Sequence, residues 1–236
     1  MSFLKRAATL VAASAIALGS ASAQKTIGVI GNGANGNYYP LGFSGGYSKF
    51  QQVYNASLFT GPLSFDNISF YSKPGTQILQ QGTFNFYLNT TSVDPTAMNY
   101  GNPLANETVA NRKFFGTYTI GANVDAPNIV SFAGTNFIYN PAMGNLVLDI
   151  DFSYVGNFIN SNRAPFDSYY DSRVSTASDP QLFLGGTAGS KGSGLVTTFA
   201  SGGVNTFAVV PEPSSVLLVG AGLAGLLFVA RKRKSA

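Results

Sequence analysis

Hydrophobic and polar residues alternate with a period of two along most of the chain between residues 24 and 209. Phe84, Phe86 and Leu88 occupy every second position of one such stretch, and Leu146 and Leu148 begin the same pattern further on. This spacing places the apolar side chains on one face of a strand and the polar ones on the other. No window of helical length shows a convincing 3.6-residue period. The pattern therefore predicts an all-β body.

Short strand candidates recur through the body, and turn sequences separate them. The candidates are 26–30, 49–55, 68–70, 83–89, 114–120, 129–132, 136–139, 144–154, 182–184, 196–199 and 204–209. Proline follows Asp94, Asn102, Asn140 and Asp179, which is typical of turns. Residues 185–203 are rich in Gly, Ser and Thr and are expected to form a mobile loop with one short strand. Together these features favour a two-sheet antiparallel β-sandwich of jelly-roll type, whose strand order stays open.

The first 23 residues have the three parts of a secretory signal peptide. Lys5 and Arg6 precede an apolar run over residues 7–19, and small residues end the segment at Ala23. A core helix would need neither the charged leader nor the Ala-x-Ala exit. We therefore expect signal peptidase to cleave between Ala23 and Gln24.

The other end of the chain, residues 210–236, has three parts as well. It consists of Pro211, Glu212 and Pro213, an apolar stretch over residues 216–230, and the basic residues Arg231, Lys232, Arg233 and Lys234. Two prolines around one acid favour an extended, exposed segment that a protease-like enzyme could bind. The apolar stretch is close to the minimum length of a transmembrane helix, and the basic end is expected to stay on the cytoplasmic side.

This order of parts resembles the PEP-CTERM sorting signal of Gram-negative bacteria. Pro211, Glu212 and Pro213 correspond to its motif, residues 216–230 to its hydrophobic helix and residues 231–234 to its basic stop. The resemblance implies that an exosortase recognises the tail while it is transiently anchored in the inner membrane. It also implies delivery to the cell surface or extracellular matrix of a host that produces exopolysaccharide and forms biofilm or flocs. It assigns no chemistry to the body at residues 24–209.

The net charge of +4 comes from the two ends of the chain. Six of the 14 basic residues lie in the terminal segments, whereas residues 24–210 carry eight basic and nine acidic side chains, a formal charge of −1. A nucleic-acid-binding body needs a basic face, and this body has no cluster of basic residues from which to build one. Nucleic acid is therefore not an expected partner.

The chain contains neither histidine nor cysteine. This composition excludes disulfides, Ser-His-Asp and Cys-His catalysis, and zinc sites with His or Cys ligands. The acids that remain for catalysis are Asp149 with Asp151, two apart on one strand face, and Asp167 with Asp171. We expect Asp149 and Asp151 to lie on a solvated strand face, with calcium binding as a weaker alternative and catalysis as the least favoured.

Tyrosines in apparent loops could stack on sugar rings. Tyr169 and Tyr170 are the selected candidates for glycan contact, although packing is the commoner role of such residues. The sequence thus predicts an exported, non-enzymatic structural or adhesive protein without a cofactor, with exopolysaccharide as a candidate partner. Two alternatives stay open: a polysaccharide-active sandwich enzyme that uses aspartates, and a calcium-dependent, lectin-like binding module.

Overall fold

The computed structural model describes residues 24–31, 37–42, 48–72, 77–154, 164–178 and 189–202. The predicted signal peptide, the strand candidates 182–184 and 204–209, and the sorting tail with its predicted hydrophobic helix lie outside these residues. Within the described ranges, no helix is both long and apolar enough to cross a bilayer.

The described residues form antiparallel strands joined by turns and short 3₁₀ helices. The strands are β1 (Lys25–Ile27), β2 (Lys49–Tyr54), β3 (Leu63–Tyr71), β4 (Gly82–Thr91), β5 (Lys113–Ile120), β6 (Ile129–Tyr139), β7 (Asn145–Tyr154), β8 (Ser168–Tyr170), β9 (Val174–Ser178), β10 (Gly189–Ser190), β11 (Ser193–Leu195) and β12 (Thr197–Ala200). One sheet has four strands in the order β1-β12-β3-β6, and a second has six in the order β10-β9-β2-β7-β4-β5. A small third sheet pairs β11 with β8. The prediction of an all-β chain built from antiparallel sheets is confirmed.

Several sequence expectations about single strands are corrected. The candidates 129–132 and 136–139 are one strand, β6, which continues through a register shift against β3. The predicted loop at 185–203 contains its one expected strand, β12, near the candidate 196–199, and over its described part it also contributes β10 and β11. Strands β8 and β9 were not predicted, because their short polar segments show no clear alternation of apolar residues.

Aromatic side chains join the four-stranded and six-stranded sheets across a common core. The ring of Phe86 on β4 lies 4.5 Å from that of Phe132 on β6 and 6.4 Å from that of Phe70 on β3. Tyr54 on β2 packs edge-to-face on Phe199 of β12 at 5.3 Å. All five side chains are buried, so the two sheets form a sandwich held largely by apolar surface.

Two edge strands, β5 and β6, meet where the sandwich closes on one side. Thr135 Oγ1 donates to the carbonyl oxygen of Phe114 at 2.7 Å. The hydroxyl of Tyr118 donates to the carbonyl oxygen of Ala133 at 2.9 Å. The backbone at Gly134 lies so close to the Phe115 carbonyl that a Cβ atom there would collide with it. On this side of the sandwich, β5 and β6 cover each other's edges, which limits unwanted pairing with further chains.

The connection between β4 and β5 forms a covering segment, residues 92–112, over the outer face of the six-stranded sheet. Asp94, Asn102 and their following prolines start two of its 3₁₀ helices, and the Asp94 side chain accepts from the backbone N–H of Thr96. Met98 of this segment packs with Val53 and Val147 on the sheet. A face that the strand pattern alone would leave in solvent is therefore buried.

Candidate functional site

Five ionisable side chains meet beneath the covering segment, and we call them the ion cluster. They are Lys49 on β2, Asp149 and Asp151 on β7, and Glu107 and Arg112 from the covering segment. Lys49 is directly opposite Asp151 in the register of the β2–β7 pair, and Asp149 lies two residues away on the same face. Antiparallel pairing of neighbouring strands therefore brings together residues a hundred positions apart in the chain.

Lys49 contacts both aspartates. Its Nζ atom donates to Asp149 Oδ1 at 2.9 Å and Oδ2 at 2.7 Å, and lies 2.6 Å from Asp151 Oδ1. The Lys49 side chain is 10% exposed and that of Asp149 is fully buried, whereas that of Asp151 is 33% exposed. Charges removed from water in this way persist only with close partners of opposite sign.

Arg112 reaches the same carboxylates from the covering segment. Its Nη2 atom contacts Asp149 Oδ2 and donates to Asp151 Oδ2 at 2.9 Å, while its Nε lies 3.5 Å from Glu107 Oε1. The guanidinium also stacks over the ring of Tyr87, 3.8 Å from the centroid, which adds a cation–π contact. Arg112 thereby ties the end of the covering segment to β4 and β7.

The acidity of Glu107 is altered by its place in the cluster. Burial, together with the neighbouring Asp149 carboxylate to which it is hydrogen-bonded, raises the pKa of Glu107 to about 7. Below that pH the Glu107 carboxyl is protonated, so two carboxylates face the two cations, Lys49 and Arg112. Ionisation of Glu107 adds a negative charge that no further basic side chain of the cluster balances.

Amide side chains surround the ion cluster and fasten the covering segment to the sheet. Asn106 Nδ2 donates to Gln51 Oε1 at 3.0 Å, and Asn106 Oδ1 accepts from the backbone N–H of Asn99 at 2.7 Å. Asn89 Nδ2 donates to the carbonyl oxygen of Thr108 at 3.0 Å. Gln51, Asn89 and Asn106 are all buried, so water has little access to the cluster from this side.

The expectation of a solvated face at Asp149 and Asp151 is wrong. Asp149 is fully buried because the covering segment closes over it, and both aspartates already contact Lys49 and Arg112. Within the described residues, no group of three or more acidic side chains is arranged to hold a metal ion. Calcium binding by this pair, the weaker alternative, stays an untested hypothesis.

Tyr169 and Tyr170 are separated by the strand geometry of β8. Adjacent strand residues point to opposite faces, so Tyr169 packs partly against the core, while Tyr170 is 63% exposed. The hydroxyl of Tyr169 donates to Asp171 Oδ2 at 2.6 Å. Of the two candidates, Tyr170 is the one that presents its ring to solvent.

The acids that flank these tyrosines are also engaged. Asp171 accepts from Nε of Arg173 at 2.9 Å and from Nη2 at 2.6 Å, and these bonds, with the Tyr169 hydroxyl, hold the pKa of Asp171 well below its usual range. Asp167 is buried, and its Oδ2 accepts from the backbone N–H of Gly31 at 2.6 Å. Asp167 and Asp171 therefore have separate structural partners.

The sequence did not predict that Lys49, Glu107 and Arg112 would join Asp149 and Asp151 in one site. No sequence signal marked Lys49, because the burial of the whole of β2 is seen only in the structure. The covering segment carried no such signal, since its turn sequences are also typical of exposed loops.

Comparison with protein families shows that residues 209–234 match the PEP-CTERM protein-sorting motif. The comparisons with curated proteins and with solved structures found no match. The motif confirms the resemblance of the tail and implies export, transient anchoring in the membrane and exosortase-dependent sorting to the cell surface.

Proposed function

We propose that the protein is a non-enzymatic structural or adhesive component of the cell surface or extracellular matrix. The observation that carries this proposal is the sorting motif at residues 209–234, which gives the β-sandwich a destination outside the cell. Exopolysaccharide is the partner that we expect there. Signal peptidase and exosortase act on the two ends during export.

The state of the acidic residues supports a non-enzymatic body. A glycosidase needs two accessible carboxyl groups about 5–10 Å apart on either side of the sugar bond. Asp149 is buried between two cations, Asp167 binds a backbone N–H and Asp171 pairs with Arg173. The chain also contains no histidine or cysteine that could replace them.

The strand order supports a jelly-roll arrangement of the sandwich. One sheet has the order β1-β12-β3-β6, and strands β2-β7-β4-β5 follow one another in the six-stranded sheet, an order compatible with two interleaved Greek keys. Such sandwiches occur in lectin and capsid domains, whose roles are binding and assembly. This fold is compatible with a matrix protein but does not select a ligand.

Glycan contact at Tyr170 is the specific form of adhesion that we propose. Its ring is 63% exposed and can stack on the apolar face of a sugar, while the neighbouring Asp171–Arg173 pair offers polar contacts. Retention of the protein on host exopolysaccharide should fall several-fold in Tyr170→Ala. Phe114→Ala, which removes an exposed ring from β5, serves as the matched control. Equal retention of Tyr170→Ala and the wild type would reject this contact.

Deletion of residues 211–236 tests the sorting part of the proposal. The truncated chain should still lose its signal peptide, but it should no longer be processed by the exosortase or reach the cell surface. Comparison of cell fractions from strains with and without the exosortase measures this directly. Exosortase-dependent processing of the truncated chain would contradict the sorting role.

Aspartate variants separate the matrix role from the enzymatic alternative. We expect the wild type and four variants to release the same background amount of reducing sugar from host polysaccharide. The variants are Asp149→Asn, Asp151→Asn, Asp167→Asn and Asp171→Asn. Activity above background that one of these changes abolishes would establish the enzyme instead.

A further inference from the structure

The geometry of the ion cluster points to a covalent modification inside the body. We propose that Lys49 and Asp149 form an intramolecular amide, an isopeptide bond, that links β2 to β7. This inference concerns the body alone and is independent of the proposed function. Nothing in the sorting motif assigns such a bond.

Proximity is the first argument. Nζ of Lys49 lies 2.9 Å and 2.7 Å from the two oxygens of Asp149, so the amine is held at the edge of the carboxyl group, which must turn its face toward Nζ for attack. Both residues lie on paired central strands of the six-stranded sheet and are held there by the ladder. Reacting groups that are held in contact behave as if present at about 10⁵ M or more once they are correctly oriented.

Asp149 is favoured over Asp151 as the reacting residue. Its carboxyl is fully buried, contacts the amine through both oxygens and is hydrogen-bonded to Glu107. The Asp151 side chain is 33% exposed, and Lys49 contacts only its Oδ1. Exclusion of water matters because water competes with the amine and would hydrolyse a reactive intermediate.

The reaction is a condensation that needs no oxidant and no external reagent. A proton first passes from the ammonium of Lys49 to the carboxylate of Asp149, which leaves a neutral amine and a neutral acid. The amine attacks the carboxyl carbon, a C–N bond forms, and one C–O bond breaks as water leaves. The products are one amide and one water molecule.

Glu107 and Arg112 supply what this reaction requires. Glu107 is hydrogen-bonded to Asp149, where it can give a proton to the leaving oxygen, and its raised pKa of about 7 leaves a large share of the carboxyl protonated near neutral pH. Its Oε1 is buried, makes no hydrogen bond among the described residues and lies 3.5 Å from Arg112 Nε. Arg112 Nη2 contacts Asp149 Oδ2, where it would stabilise negative charge that develops on that oxygen.

The surroundings favour the product. Condensation removes one positive and one negative charge from the buried cluster and leaves Arg112 paired with Asp151. The desolvation cost of a buried ion pair is thereby avoided. The bond also gives this cysteine-free exported chain a covalent cross-link, which closes a long loop between β2 and β7.

Peptide mapping of the full chain tests the proposal without any variant. The denatured protein is digested with trypsin and a second protease and analysed by mass spectrometry. We expect no cleavage after Lys49 and one branched peptide that joins Lys49 to Asp149, lighter by one water molecule than its two linear parts. Complete recovery of linear peptides with free Lys49 and Asp149 would overturn the proposal.

Substitutions identify the reacting groups. Lys49→Arg should give no branched peptide, and Asp149→Asn should give the same product by releasing ammonia instead of water. Glu107→Gln should slow bond formation by about 100-fold, the usual size of a general acid–base contribution. Lys113→Arg, at an exposed lysine on β5, is the matched control and should cross-link fully.

Near-UV circular dichroism shows which variants are folded before these rates are compared. Bond formation in a folded Glu107→Gln at the wild-type rate would contradict the role of Glu107 in proton transfer. A branched peptide joining Lys49 to Asp151 would reject Asp149 as the partner.

Discussion

Single residues of the ion cluster explain why the outer face of the six-stranded sheet is not exposed. Lysine, arginine, aspartate and glutamate are rarely buried unless they are paired. Here Lys49 and Arg112 share two aspartates, and the Tyr87 ring covers the guanidinium. Each charge has a partner, so the covering segment can close over a polar face.

Glu107 should make stability depend on pH in the direction opposite to a salt-bridged acid. Its pKa is raised from 4.5 to about 7 in the folded protein, so the folded state binds the proton more tightly than the unfolded state. This contribution is fully present below pH 4.5 and is lost as the pH rises through about 7. The charged groups that face Glu107 are Asp149, Arg112 and Lys49.

The comparison is best made in the Lys49→Arg background, in which no amide can form and the charge at position 49 is kept. The midpoint of urea unfolding, measured across this pH range, should decline more steeply for Lys49→Arg than for Lys49→Arg/Glu107→Gln. The difference between the two curves isolates Glu107 from the other acids. Parallel curves would mean that Glu107 ionises normally in the folded state.

Calcium should not stabilise the body through Asp149 and Asp151. A calcium ion takes several oxygen ligands, and at this site it would have to displace both Lys49 and Arg112 from the carboxylates. We therefore expect the same Tm with calcium and with a chelator. Magnesium serves as the control for a general effect of divalent ions. A calcium-specific rise in Tm that Asp151→Asn removes would restore the metal hypothesis.

Among the elements, strands β5 and β6 depend on a close backbone approach at Gly134. A Cβ atom at this position would meet the carbonyl oxygen of Phe115 and would lie 2.6 Å from atoms of its ring. Gly134→Ala should therefore destabilise the protein by about 1–3 kcal/mol, as overpacking does elsewhere. Urea unfolding measures this loss.

Gly61→Ala is the matched control for Gly134→Ala, because no heavy atom lies within 4 Å of a Cβ atom at Gly61. Its free energy of unfolding should stay close to that of the wild type. Equal effects of the two substitutions would show that the sheet edges separate easily enough to admit a methyl group.

In the covering segment, local sequence determines the turns, whereas tertiary contacts determine the position. Asp94 and Asn102, each followed by proline, start short 3₁₀ helices, as their turn chemistry predicts. Where the segment lies is decided by distant partners, since Asn106 binds Gln51 and Met98 packs on Val53 and Val147. Turn residues specify the bends of the segment but not the surface against which it packs.

For the whole molecule, the aromatic contacts between the sheets are the main source of cohesion. Phe86 is fully buried and contacts rings of both sheets. Phe86→Ala should cost about 3–5 kcal/mol of unfolding free energy, because it leaves a cavity at the centre of the core. Phe114→Ala, at a ring that is 50% exposed, should cost much less. A similar loss in both variants would show that the core does not hold the two sheets together.

Much of the fold could be predicted because strand alternation records which side chains face the core. The stretches around Phe84, Phe86 and Leu148 were predicted as strands and are central to β4 and β7. Strands β8 to β11 were missed because they are short and are stabilised by pairing with β2 or with each other. A polar segment becomes a strand when a neighbouring strand forms backbone hydrogen bonds with it. No local sequence pattern shows which strand that neighbour is.

The sequence alone determined the sorting signal of this protein, because residues 209–234 form a short linear pattern whose meaning does not depend on the fold. It also determined the all-β class, through alternation of period two, and excluded catalysis by histidine or cysteine through composition. Only the tertiary structure decided that Asp149 is buried and paired. Burial beneath the covering segment and contact with Lys49, a hundred positions earlier in the chain, follow from strand order and register. Those are long-range properties, because they depend on which segments meet in space.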